Sequence, residues 1–360
     1  MRLQLDRFNF ERKYVSIEDL LVYCTETDCS DLYIKVGEKP YISRYGKIIE
    51  LNCREITRDI FQTWYSLYVS NELNATYVRE KFLDLSCSIR IPEDSPNYCK
   101  LDDNAYRYRV NLSFSSEKNT ATFRMIKPKT LTFDNVNLDK QLKEVLEERF
   151  AEKSKILVVT GVTGSGKSTT LASCINTFMQ KGKCLDNAMI LTFEDPIENI
   201  FHSTDTSRIV QKELRKDFRN YPNGIMSALR EHPTHVLLGE IRDTQTVNAA
   251  LEMVKTGHSC YTTFHSSSVS GTISRMLFHL ENQKDLKYDL LMHLNMILAQ
   301  KLVPNDNGYL VDYEYLIFTE EVVKHLIESL DSDKNMAVEV EKLMDDEDLI
   351  ARKIVKRMLY

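Results

Sequence analysis

Residues 161–169 read GVTGSGKST, directly after the apolar run KILVVT and running into the helix-like STTLASCINTFM. The stretch fits G-x-x-x-x-G-K-[ST], and a strand–turn–helix setting is what gives such a match meaning. It constrains the fold more than any other feature, because a strand feeding a helix through this turn is one unit of a parallel α/β sheet. Gly161, Val162, Thr163, Gly164, Ser165, Gly166, Lys167, Ser168 and Thr169 are therefore the candidate nucleotide-binding residues. Its glycines let backbone N–H groups turn inward around phosphates, Lys167 reaches the β- and γ-phosphates, and the Ser168 hydroxyl is placed for Mg²⁺. ATP and Mg²⁺ are the ligands this motif calls for. A glycine-rich turn with no ligand is the plainer alternative, and the strand–helix junction argues against it.

The rest of the second half agrees with a parallel sheet. KILVVTG, AMILTFE, HVLLGE and SCYTTFH are short apolar runs separated by helical segments. Near-continuous apolar strands alternating with helices imply a sheet covered on both faces. Glu194 and Asp195 stand at the carboxyl end of one such run, and Glu240 ends another, followed by Arg242 and Asp243. Acids at the carboxyl ends of parallel strands face the ligand crevice of an open α/β sheet. Hydrolysis needs one carboxylate for Mg²⁺ or its waters and one to orient or deprotonate the attacking water. A lone strand-end acid more often caps a helix or pairs with a surface cation; two beside a phosphate loop favour catalysis.

The first half has a different texture. SDLYIKVG precedes PYISRYGKIIEL, a hairpin turning at Tyr45-Gly46, and ITRDIFQTWYSLYVSNELNATYVREKF has helical spacing. LDLSCSIRI, AYRYRVNLSFS and TATFRMIK add strands, which together make an α+β domain with an antiparallel sheet. These patterns divide the chain into an N-terminal domain at 1–127, a linker at 128–137, a phosphate-loop core at 138–300 and a mostly helical region at 301–360. In the last, AQKLVP reads as a helix ending at Pro304, and KLMDDEDLIARKIVKRMLY as an amphipathic helix with an acidic start and a basic end.

A chain of 360 residues, 42% hydrophobic, is long enough for two cored domains. Its formal charge of -6 argues against binding nucleic acid through overall charge, and no DNA-binding module is present to support a translocase. The N-terminus is too polar for a signal peptide and no apolar run is long enough to cross a bilayer, so a cytoplasmic location is expected, with membrane association through partners. Cys24, Cys29, Cys53, Cys87, Cys99, Cys174, Cys184 and Cys260 show no C-x-x-C pair and no zinc spacing, and read as small buried hydrophobes.

Residues 256–268, TGHSCYTTFHSSS, put His258 and His265 on either side of a β-favouring run. Two histidines so close can be metal ligands, an acid–base pair, or side chains satisfied by hydrogen bonds at the ends of a strand. The absence of a cysteine or third histidine at ligand spacing disfavours zinc.

The four blocks GVTGSGKST, LTFEDPIE, ALREHPTHVLLGEIRD and TGHSCYTTFH resemble, in order and spacing, the Walker A, Asp box, Walker B and His box of the bacterial secretion (traffic) ATPases, which include pilus motors. SDLYIKVGEKPYISRYGKI resembles that family's PAS-like N-terminal domain. NYPNGIMSALR, AQKLVP and DYEYLIFTEEVVKHL look most like the DotB/TraJ branch of type IVB secretion and conjugation. The resemblance implies an α/β protein with a PAS-like α+β domain, then a RecA-like P-loop domain with C-terminal helices, working as a homohexamer. It implies that Glu194 is a catalytic base or water-orienting residue and that Glu240 acts through Mg²⁺ and its waters. The usual Walker B aspartate is absent, which leaves the division of labour between the two glutamates open. His265 becomes a γ-phosphate sensor; His258, Asp195 and Arg242 become supporting residues. Ser266, Ser267 and Ser268 depart from the Thr-Asn that often follows the second histidine. RYRVN and TFRMIK resemble segments that supply arginine fingers, naming Arg109 and Arg124; surface ion pairs are the plainer role for both. The implied output is work at an inner-membrane secretion, conjugation or pilus machine acting with its protein substrates. A pilus retraction motor and a non-hydrolysing nucleotide-dependent scaffold are the alternatives.

Overall fold

The computed structural model describes residues 10–11, 13–95, 105–126, 131–133, 136, 138–305, 308–345 and 352–355. The chain divides into two compact units, Met1–Lys129 and Thr130–Tyr360.

The first unit opens with helix α1 (Ile17–Glu26), whose N-cap Ser16 accepts a hydrogen bond from the Asp19 amide. Strands β1 (Asp31–Lys35), β2 (Tyr41–Arg44) and β3 (Lys47–Glu50) follow, then α2 (Arg58–Tyr68), α3 (Asn71–Glu80), β4 (Phe82–Arg90), β5 (Ala105–Ser115) and β6 (Lys118–Ile126). Tyr45 and Gly46, both at positive φ, make the two-residue turn between β2 and β3. The six strands form one sheet in the order β3-β2-β1-β6-β5-β4, and every neighbouring pair is antiparallel. Along β5 the burial alternates: Tyr106, Tyr108, Val110 and Leu112 join a core with Trp64 and Phe123, while Arg107, Arg109 and Asn111 take the opposite face.

The second unit runs α4 (Lys140–Ala151), β7 (Ile156–Thr160), α5 (Lys167–Phe178), β8 (Met189–Glu194), β9 (Arg208–Glu213), α6 (Tyr221–Ala228), β10 (His235–Ile241), α7 (Thr244–Lys255), β11 (Ser259–Phe264), α8 (Val269–Phe278) and α9 (Lys284–His293). It ends with β12 (Leu294–Asn305), β13 (Gly308–Ile317), α10 (Glu320–Asp331), α11 (Met336–Asp345) and β14 (Arg352–Val355). The sheet order is β14-β13-β12-β7-β11-β10-β8-β9, parallel from β12 to β9, with β13 and β14 antiparallel. Successive residues of β7 feed different cores: Ile156 and Val158 pack with α7 and α8, Leu157 and Val159 with α4 and α5. That two-sided burial explains why the strands read as unbroken apolar runs. The protein is thus α/β, an antiparallel α+β unit followed by a P-loop unit.

Three expectations change. AQKLVP is not a helix end but part of β12, paired along its length with β13 and reaching β7 only at Ala299. A short apolar run cannot by itself be told from a helix segment; what decides it is the pairing of Ala299–Pro304 with Tyr309–Glu314 of β13, while β12 joins the parallel sheet through Leu294–Ala299 against β7. The region 301–360 is not mostly helical, since α10 and α11 stand among β12, β13 and β14. The tail is not one amphipathic helix: α11 stops at Asp345 and Arg352–Val355 pairs with β13, with 346–351 outside the described residues. The linker at 128–137 also falls largely outside them.

Candidate functional site

β7, β8, β10 and β11 end side by side, and the sequence-selected residues of the second unit gather at those carboxyl ends. After Thr160 the chain turns at Gly161, where a Cβ would come 2.3 Å from Ser165 Oγ and 2.4 Å from the Gln300 carbonyl oxygen. No side chain fits there. Gly166, at φ +85°, is the N-cap of α5 and supplies no capping side chain, so the first N–H groups of the helix stay available to an anion.

Lys167 is buried, and its Nζ donates to the carbonyls of Gly161 and Val162 at 3.0 and 3.2 Å. Burial lowers its pKa, opposed by the charges of Glu240 and Glu198. Nζ also lies 3.4 Å from His265 Nδ1, while His265 Nε2 lies 3.3 Å from Glu240 Oε1. A neutral imidazole with its proton on Nε2 satisfies both neighbours, accepting from the ammonium and donating to the carboxylate. Arg242 Nε donates to Glu240 Oε2 at 2.8 Å and its Nη1 to Asp195 Oδ2 at 3.3 Å, and Arg215 closes on Asp195 Oδ1 at 3.2 Å. A continuous polar chain therefore runs Lys167–His265–Glu240–Arg242–Asp195–Arg215. Glu240 leaves the regular ladder here, because the β10–β11 register shifts between Leu238 and Ile241. Such a bulge re-aims a side chain.

Glu194 ends the neighbouring strand. Gly239 allows the approach, since a Cβ there would lie 3.3 Å from Glu194 Cα. The carboxyl accepts from Thr192 Oγ1 at 2.6 Å and Gln211 Nε2 at 3.1 Å. Burial nevertheless pushes it up to about 7, against those two hydrogen bonds. A carboxyl that changes charge near neutral pH is matched to general-base work. Ser168 opens α5 half-buried and, with Glu240, offers the hard oxygen donors that suit Mg²⁺.

The two histidines part company. His265 faces the phosphate loop; His258 lies at the other end of β11, where its Nδ1 sits 3.1 Å from the Met253 carbonyl and 3.0 Å from Thr256 Oγ1 at the close of α7. Six strand residues, about 20 Å of chain, separate them, too far for one metal ion or one proton to use both. The serines after His265 are seated: the Ser266 amide donates to Thr160 Oγ1 at 3.1 Å, and Ser268 caps α8.

In the first unit Arg109 and Arg124 are directly opposite across β5 and β6, on the face away from the core. Arg124 Nε pairs with Asp31 Oδ1 at 2.9 Å. Arg124 is 70% exposed, so that pair stabilises little.

Several contributors were missed: Thr160, Thr192, Gln211, Arg215, Arg275 and Gln300. Arg275 Nη1 donates to the His265 carbonyl and its guanidinium lies over Phe264. Their types are ordinary polar ones; Thr160 and Thr192 lay in the strand-like runs KILVVT and AMILTFE, but nothing in those runs marked them as part of a site.

The model of the family described as "Type II/IV secretion system protein" matches residues 13–341. The chain is 28% identical over 315 residues to the type IV pilus retractation ATPase PilT of Pseudomonas aeruginosa, covering 87% of this chain and 85% of that one. It is 29% identical over 292 residues to a twitching motility protein of Neisseria gonorrhoeae, covering 80% and 72%. Among solved structures it is similar to the ATPase DotB of Legionella pneumophila, with a TM-score of 0.78, 27% identity and coverage of 93% and 90%. It is similar too to the pilus retraction motor PilT with bound ADP, with a TM-score of 0.72, 27% identity and coverage of 92% and 94%. Among the described residues no helix is long and apolar enough to cross a membrane. With its phosphate loop, paired strand-end glutamates and matched model, this chain belongs to the type II/IV secretion system protein family.

Proposed function

We propose that the chain hydrolyses ATP to ADP and phosphate and turns the free energy into movement of a secretion, conjugation or pilus machine at the inner membrane. The observation that carries this reading is the polar chain joining Lys167 through His265 to Glu240, one strand from Glu194. Residues 161–169 bind the nucleotide phosphates. Ser168, and Glu240 through water, would hold Mg²⁺, which supplies charge neutralisation on the phosphates. Glu194 is the better placed of the two glutamates to take a proton from water, since its carboxyl titrates near neutrality while Glu240 is ion-paired to Arg242. His265, touching both Lys167 and Glu240, registers phosphate state. Arg109 and Arg124 close on the γ-phosphate as fingers, an effect worth roughly 10³–10⁵ in turnover. Asp195 and Arg242 support the site, and His258 orients the loop that enters β11. We take 1–127 and 138–300 as the moving domains, 128–137 as the linker, and a cytoplasmic homohexamer as the working form, docked to the membrane through partner proteins.

Two machines fit this engine. The similarity to DotB favours type IVB secretion or conjugation, and that to PilT favours pilus retraction. Restoring secretion or twitching in strains lacking the respective ATPase separates them.

The engine itself is tested by Mg²⁺-dependent phosphate release against protein concentration, with light scattering on the same samples. Activity rising with a six-subunit species is expected; full activity in a monomer removes the ring. Lys167→Ala should abolish turnover with the fold intact, and unchanged turnover sinks the site. Nucleotide binding with no release in any state favours the scaffold.

A further inference from the structure

The strand beside the phosphate loop carries a residue to which the mechanism above gives no role. Gln300 lies on β12 one position past Ala299, which pairs with Thr160 at the end of β7. Its side chain is buried, and Nε2 donates to the Ser165 carbonyl oxygen at 2.7 Å. Its own carbonyl closes on Gly161, and its Nε2 would lie 3.3 Å from a Cβ at Gly166. One residue thus meets the loop at its first glycine, its last glycine and the serine between them.

The planarity of the peptide unit gives that contact a direction. In a trans peptide the C=O of one residue and the N–H of the next point opposite ways. Holding the Ser165 carbonyl toward β12 therefore aims the Gly166 N–H away from β12, toward the loop interior in which the proposed phosphate would sit. Gln300 Oε1 and Ser165 Oγ are both buried and have no hydrogen-bond partner among the described residues. The Nε2 bond to the Ser165 carbonyl is therefore the hydrogen bond that joins the two residues.

We propose that Gln300 is a positioning residue for nucleotide binding: its amide clamps the Ser165 carbonyl so that the loop's N–H groups converge on phosphate. Gln300 touches no phosphate itself and acts through the loop. This rests on residues 161–169 being the nucleotide site.

The test uses the full chain with ADP as the probe, measured by calorimetry. Gln300→Met keeps length and volume but has no donor. ADP affinity should fall about tenfold, the equivalent of about 1.4 kcal/mol, measured at a temperature where the ligand-free variant is fully folded. Hydrogen exchange should quicken in the peptide covering 161–169 and stay constant in that covering 171–178. Undiminished ADP affinity overturns the clamp, and so does faster exchange spread equally over both peptides, which marks a packing role. If Gln300→Met does not fold, Gln300→Asn answers the same question, because it keeps the amide but withdraws it by one methylene. ADP affinity should fall there too, and full affinity overturns the proposal. An unsubstituted chain that fails to bind ADP overturns the site reading itself, and the clamp with it.

Discussion

Buried Glu194 and half-buried His235 are ionisable groups whose shifts have opposite consequences for stability. Burial raises the Glu194 carboxyl from 4.5 to about 7, so between those values the folded chain holds a proton that the unfolded chain has released. Stability from this group therefore falls as pH rises through that window, by roughly 3 kcal/mol in all. Glu194→Gln removes the titration. Its melting temperature relative to the unsubstituted chain should climb from pH 4.5 to 7, while turnover falls about 10²–10⁴-fold. A flat difference in melting would show that the carboxyl is ionised throughout. His235, at the start of β10, is lowered from 6.5 to about 4, by burial first and then by Lys153 and His258. The unfolded chain binds the proton there first, so this contribution is present above pH 6.5 and is lost as pH falls toward 4. His235→Phe, which keeps a ring beside Tyr261, should blunt acid unfolding in that window. Unaltered acid sensitivity would refute it.

Among the elements, β7 does more than deliver the phosphate loop. Its last residue, Thr160, accepts from the Ser266 amide at 3.1 Å and from Thr272 Oγ1 at 3.0 Å, tying the segment after His265 and helix α8 to the loop strand. The start of α8 is held from two further directions, by Glu314 of β13 on the Val269 amide and by Glu341 of α11 on the Ser270 hydroxyl. Thr160→Val keeps the shape but orphans a partly buried N–H, a change that costs about 1–3 kcal/mol. Denaturant unfolding should register that loss, and phosphate release should drop further than stability alone explains, because His265 loses its seat. Full turnover in a destabilised variant would detach this network from catalysis. The strands β7, β8, β10 and β11 were legible as apolar runs because two-sided burial imposes that composition. The half-exposed edge strand β9 mixes charged and apolar residues and left no such signature.

For the whole molecule, the two units have their own sheets and cores. A motor of the proposed kind needs the first unit to act on chemistry in the second. Replacing Arg109 and Arg124 together with Ala should lower phosphate release by roughly 10³-fold or more. ADP affinity and melting should stay near those of the unsubstituted chain, since neither side chain enters the core. Undiminished release would leave both arginines as surface cations, the role that the Arg124–Asp31 pair already illustrates.

What the sequence determined by itself is what local chemistry dictates. A glycine-rich turn between an apolar strand and a helix, acids at the ends of two further strands, and alternation along β5 each follow from backbone freedom or one-sided burial within a few residues. Tertiary structure alone decided the rest. It separated His258 from His265 by the length of β11, turned AQKLVP into a strand by pairing it with β13, and brought Gln300 against Ser165 across 135 positions. It also raised the Glu194 carboxyl by surrounding it with neighbouring strands. Hydrogen bonds across strands and desolvation depend on which segments become neighbours, and periodicity carries no record of that.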